Sequence, residues 1–122
     1  MKKLITLFSL IFIISFSATA QEAKTVSLEQ TKGEFTQKEV TLTEGSYVFN
    51  ISNNNSGTDV GFVLVPAGKD VSDPANHIKE AYVTNVVAEG KTESSKTVTL
   101  KKGTYTYFCP LNKTPQYTLT VE

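Results

Sequence analysis

The stretch TVTLKKGTYTYFCPLNKTPQYTLTVE, Thr97 to Glu122, decides the fold. Val98 and Leu100 alternate with threonines, and Lys102-Gly103 is turn chemistry. Tyr105, Tyr107 and Cys109 then fall on one face of a second strand, which ends at the cysteine. After a short loop, Tyr117, Leu119 and Val121 share one face of a third. Apolar residues at period two, in segments rich in Thr, Val and Tyr, mark half-buried strands. Glycine beside polar residues marks the connection.

The same grammar runs back along the chain. Val26 and Leu28 alternate, as do Val40 and Leu42, and Tyr47, Phe49 and Ile51. In Val60 to Val65 both faces are apolar. Glu44-Gly45, Asn53 to Gly57 and Pro66 to Gly68 separate these runs as turns. There is an internal echo. VTLTEGSYVFNI (Val40 to Ile51) matches VTLKKGTYTYFC (Val98 to Cys109), so one strand–turn–strand unit is used twice and Cys109 falls on Ile51. Short strands at this spacing predict an all-β Greek-key sandwich of about seven or eight strands. Residues 66–91 break the pattern and read as an irregular insertion. Asp73-Pro74 is a turn, Ala75 to Ala81 has one or two helical turns, and Tyr82, Thr84 and Val86 form an irregular strand.

The N-terminus reads as an export signal. Lys2 and Lys3 precede an apolar run from Leu4 to Phe16, and Ala18-Thr19-Ala20 supplies the small residues of a cleavage site. Residues 1–20 are therefore expected to be removed between Ala20 and Gln21. This leaves a single domain of residues 21–122, secreted or periplasmic, with no membrane attachment. Removal of Lys2 and Lys3 from the 12 basic residues leaves ten lysines against 12 acids, a net charge of −2. The absence of arginine and of surplus positive charge excludes nucleic acid as a partner. Cys109 is the one cysteine, so no internal disulfide forms. In an oxidising compartment such a thiol is buried, bound to metal, or paired with another chain. The echo with Ile51 supplies the first of these: free cysteine is among the most buried residue types.

Taken together, Gly103 to Pro110 running into Tyr117–Val121, and Gly45 to Asn53 followed by Gly57 to Val65, resemble the cupredoxin family, in particular its small secreted bacterial members. The resemblance covers nearly all of residues 21–122. It implies a Greek-key sandwich with a blue-copper centre at one end. That centre needs two imidazoles and a thiolate in a trigonal plane, with a weak axial Met, Gln or backbone oxygen. Carried across, the thiolate falls on Cys109. The first histidine falls near Val60 or Gly61, the second around Asn112 to Thr114, and the axial ligand at Gln116 or Tyr117. Of these only Cys109 matches, and the sole methionine is Met1.

Two readings stay open. In the first, the domain lacks a complete type-1 site and is a non-catalytic binding or structural module for an unknown protein or small ligand, with no cofactor. In the second, Cys109 binds copper, aided by His77, Gln116, Asn112 or backbone oxygens, for copper handling or electron transfer. His77 is the only histidine and lies in the insertion, so no Ser/His/Asp set can be built, and the protein is not read as an enzyme. Asp59, Asp70, Asp73 and Glu80 gather around the insertion without EF-hand spacing and read as a solvated acidic loop.

Overall fold

A computed structural model describes residues 22–122. The expected signal and its Ala20/Gln21 junction lie outside the described residues. The described residues form nine strands: β1 (Lys24–Thr31), β2 (Glu34–Phe35), β3 (Glu39–Leu42), β4 (Gly45–Asn53), β5 (Val63–Pro66), β6 (Thr92–Ser94), β7 (Val98–Leu100), β8 (Gly103–Phe108) and β9 (Tyr117–Val121). They form two sheets. One runs β2-β1-β4, with β6 and β7 in succession along the free side of β4. The other runs β3-β9-β8-β5. β1 pairs with β4, and β3 with β9, in parallel; the other pairs are antiparallel. This is the all-β sandwich that the period-two pattern predicts. Val26, Leu28, Phe49, Ile51, Val98 and Leu100 from the first sheet meet Leu64, Tyr107, Leu119 and Val121 from the second in one buried core.

The echo marks two of the corners at which the chain changes sheet. β3 to β4 crosses from the second sheet to the first, and β7 to β8 crosses back. Gly45 (φ 156°) and Gly103 (φ 151°) occupy the same place in the two corners, in a backbone conformation that side chains disfavour. Two residues later, Tyr47 donates its hydroxyl to the Thr43 carbonyl at 2.7 Å, and Tyr105 donates to the Lys101 carbonyl at 2.8 Å. Each phenol thus closes its own corner. The corners are also joined, because the Lys102 amide donates to Glu44 Oε2 at 2.9 Å.

An aromatic cluster fills the middle. Phe35 meets Tyr107 and Tyr117 edge to face at centroid distances of 5.1 and 5.6 Å, and Phe62 lies 4.9 Å from Phe49. Such pairs add about 0.5–1.5 kcal/mol each beyond the apolar area they bury. The phenols keep partners at the rim. Tyr107 donates to the Gln37 carbonyl at 2.7 Å, and Tyr117 accepts from the Phe35 amide at 3.3 Å. Burial pushes the Tyr107 phenol up to about 12, with Tyr117 and Glu39 adding smaller upward contributions.

The insertion lies along the edge of β5. The Ile78 amide donates to the Leu64 carbonyl at 2.9 Å, and Val60 and Val87 exchange backbone bonds of 2.9 and 3.0 Å. Its helical part is two 3-10 turns, Pro74–Asn76 and Lys79–Ala81, the first capped by Asp73, which accepts from the Ala75 amide. Two expectations change here. The strand expected through Tyr82, Thr84 and Val86 is reduced to single bridges, Val83 to Ser95 and Val60 to Val87. The strand expected from Val60 begins only at Val63, because Val60 is committed to Val87. The two-residue β2 and three-residue β6 raise the strand count from the expected seven or eight to nine.

Candidate functional site

Cys109 follows the last residue of β8 and continues its inward face. Tyr107 is buried, and Cys109 is only 1 % exposed. Its sulfur accepts two backbone N–H groups, from Gly61 and from Asn112, each at 3.2 Å. Those two residues are in turn joined through Gln30. Gln30 Nε2 donates to the Gly61 carbonyl at 2.8 Å, and Asn112 Nδ2 donates to Gln30 Oε1 at 3.0 Å. The result is a closed ring of hydrogen bonds: sulfur, Gly61, Gln30, Asn112 and back to the sulfur.

The backbone places each member. Gln30 continues the inward face of β1 set by Val26 and Leu28, and it is fully buried. The turn after Cys109 brings Asn112 back beneath the sulfur. Lys113 adopts a left-handed φ of 55°, and the Thr114 hydroxyl accepts from the Cys109 amide at 2.9 Å. Asn112 also donates to the Thr31 carbonyl at 2.8 Å and accepts from the Gly33 amide at 3.0 Å, which ties this turn to the β1–β2 hairpin. No buried side-chain nitrogen or oxygen among the described residues lacks a partner. A buried network satisfied at every member rigidifies its surroundings, whereas a half-satisfied one costs the full desolvation of the orphaned group.

His77 is placed elsewhere. Its ring meets Phe108 edge to face at 6.4 Å and Tyr82 at 5.9 Å. Phe108 and Cys109 are consecutive along an extended chain, so their side chains leave on opposite faces. His77 therefore sits on the outer face of the second sheet, and Cys109 points into the core. Both ring nitrogens are engaged. Nε2 lies 2.7 Å from the Val71 carbonyl and must donate to it, and Nδ1 lies 2.7 Å from the Tyr82 hydroxyl. Gln116 is exposed. The structure thus joins Asn112 to Cys109 through the backbone amide and brings neither His77 nor Gln116 to the sulfur. Asp70 and Asp73 serve as turn acceptors, for Ser72 and Ala75 respectively, and the Ser72 bonds hold the Asp70 carboxyl below its ordinary range.

These residues do not fit a type-1 copper ion. Val60 and Gly61 offer no side-chain ligand, and the Asn112 amide is spent on Gln30, Thr31 and Gly33. Among the described residues, no second soft or imidazole donor accompanies the thiol. Gln30 is the member that sequence reasoning missed. The signal was present: a third inward position, two residues after Leu28, that carries an amide.

Beside the ring, on the other side of Gly61, lies a cleft of about 480 Å³ between the insertion and the 108–111 turn. Val63, Val71, Tyr82, Val86, Phe108 and Leu111 are among its walls, with His77 at its side, and Cys109 does not line it.

The chain matches the cupredoxin-like domain family over residues 4–121. Among solved structures, auracyanin B aligns with a TM-score of 0.65 at 25 % identity, over 82 % of this chain and 89 % of its own. The dithionite-reduced auracyanin of the photosynthetic bacterium Roseiflexus castenholzii aligns at 0.63 and 20 % identity, over 82 % and 98 % of the two chains. Auracyanin A, a "blue" copper protein from the green thermophilic photosynthetic bacterium Chloroflexus aurantiacus, aligns at 0.63 and 20 % identity, over 83 % and 100 %. No curated protein matches the chain.

Proposed function

The chain belongs to the cupredoxin-like domain family, and from that premise we propose that it is a member without a copper centre: an exported, non-catalytic binding module. The observation that carries this reading is the ring around Cys109. Gln30 and Asn112 spend their amides on each other and on backbone groups, so the place of the metal ligands is filled by a self-satisfied polar lock. Catalysis by the thiol is disfavoured by its burial, and catalysis by His77 by the engagement of both its nitrogens. Export, to the periplasm or beyond, rests on the Leu4–Phe16 run and the Ala18-Thr19-Ala20 triplet. No helix among the described residues is long and apolar enough to cross a membrane.

One observation favours the other reading. A sulfur that accepts two backbone N–H groups at the family's thiolate position is already oriented as a ligand. Colour separates the two. Cu(II) added to the reduced protein is expected to give no intense visible thiolate-to-copper band. An intense band that disappears in Cys109→Ser would overturn the proposal and make this a copper carrier.

A further inference from the structure

Val86 and Leu111 are the two large hydrophobic residues that stand exposed among the described residues, at 57 % and 47 %, and both line the cleft beside Phe108. One lies in the insertion and the other in the turn after Cys109, 25 residues apart in sequence. The fold therefore gathers its exposed apolar surface at the mouth of one cavity. The volume, about 480 Å³, falls within the range of small-molecule sites, roughly 300–1,000 Å³.

We propose that this cleft binds a single uncharged, largely apolar small molecule. The walls carry no lysine, aspartate or glutamate, so a charged ligand would be desolvated without compensation. The polar wall groups are already paired. His77 is held by Val71 and Tyr82, and the Ser72 hydroxyl donates to Asp70. The ligand is recognised by shape and by aromatic edges rather than by hydrogen bonds. This argues against an extended peptide, whose backbone groups need partners. The β5 edge that could supply them is already covered, since the Ile78 amide occupies the Leu64 carbonyl. Two exposed apolar side chains are also too little for a protein interface, which buries about 800 Å² on each partner.

The test uses N-phenylnaphthylamine, a neutral aromatic amine whose fluorescence rises in apolar surroundings, beside its sulfonate, anilinonaphthalene sulfonate. The two share one skeleton and differ by a charge. The neutral probe is expected to bind saturably at one site and the sulfonate at least tenfold more weakly. Val86→Glu and Leu111→Glu are expected to weaken the neutral probe at least tenfold each while the melting temperature holds, because both positions are exposed. Cys109→Ser is expected to leave probe binding unchanged, so this result stands or falls apart from the copper question. Three outcomes would overturn the proposal: no saturable binding, equal affinity for the sulfonate, or affinity undiminished in both rim variants. A dimer in sedimentation that dissociates in Val86→Glu would overturn it too, by making a second copy the occupant.

Discussion

Replacing Gln30 by leucine removes the link that closes the ring around Cys109. Leucine matches glutamine in bulk, so the packing of β1 against the core is retained and the change isolates the polar network. Two hydrogen bonds are lost, to the Gly61 carbonyl and from Asn112 Nδ2. Their fates differ. Asn112 Nδ2 keeps the Thr31 carbonyl, whereas the Gly61 carbonyl loses its side-chain partner in a buried setting. A buried polar group stripped of its partner costs about 1–3 kcal/mol, and a typical bond contributes about 1 kcal/mol net. Apolar burial of the leucine recovers part of this. The expected loss is about 2–3 kcal/mol, a large share of the roughly 5–15 kcal/mol that holds a domain together. In urea, with a slope of about 1–3 kcal/mol per molar, the unfolding midpoint drops by about 0.7–3 M. Gln30→Glu sharpens the test. Only the neutral acid can donate to the Gly61 carbonyl, and burial raises the carboxyl above its ordinary value of about 4.3. Its stabilising contribution is thus full below about pH 4.3 and is lost as pH rises through the raised value. Gln30→Glu is expected to approach the parent at acid pH and to fall away at neutral pH. A Gln30→Leu midpoint equivalent to less than about 0.5 kcal/mol, the range of ordinary surface changes, would refute the claim that the ring is a structural lock.

Two further outcomes follow from the corners and the aromatic cluster. Gly45→Ala and Gly103→Ala place a Cβ at φ near 150°, where the new atom meets at most ordinary contact, so the cost is backbone strain of about 1–3 kcal/mol at each site. Calorimetry should show matched drops of about 4–8 °C per kcal/mol, and a drop at one corner only would break the equivalence of the two units. The Tyr107 phenol, raised to about 12, keeps its stabilising contribution in full below the ordinary value of about 10 and loses it as pH rises through about 12. Tyr107→Phe is expected to cost about 1 kcal/mol at neutral pH, by loss of the Gln37 bond, and to flatten the alkaline loss of stability. A parent-like alkaline profile in that variant would assign the loss to other groups.

Much of this architecture was legible because it is written in local pattern. Period two gave β1, β4, β7, β8 and β9, and the repeat of Val40–Ile51 as Val98–Cys109 marked two turns, which the fold makes into corners between the sheets. What was not legible depends on contacts distant in sequence. β6 (Thr92–Ser94) has no apolar residue to announce it and exists because β4 needs a neighbour. Val60 reads as strand by composition, but pairing with Val87 removes it from β5. At the site, the sequence could count ligands but not see what replaced them. The partner that completes the ring, Gln30, lies 79 residues before Cys109 and looks locally like one more strand residue. Likewise, the face of the sheet on which His77 lands is set by Val71, Tyr82 and Phe108 together, which no spacing rule encodes.

The central claim is that the sulfur of Cys109 serves the fold and not a metal. The most direct measurement is a Cu(I) titration of the reduced protein against a competing chelator, run beside Cys109→Ser and His77→Ala. The account predicts that all three proteins compete equally poorly. Stoichiometric, tight binding by the parent that is lost in Cys109→Ser would contradict it and return the ring around Cys109 to the role of a copper site.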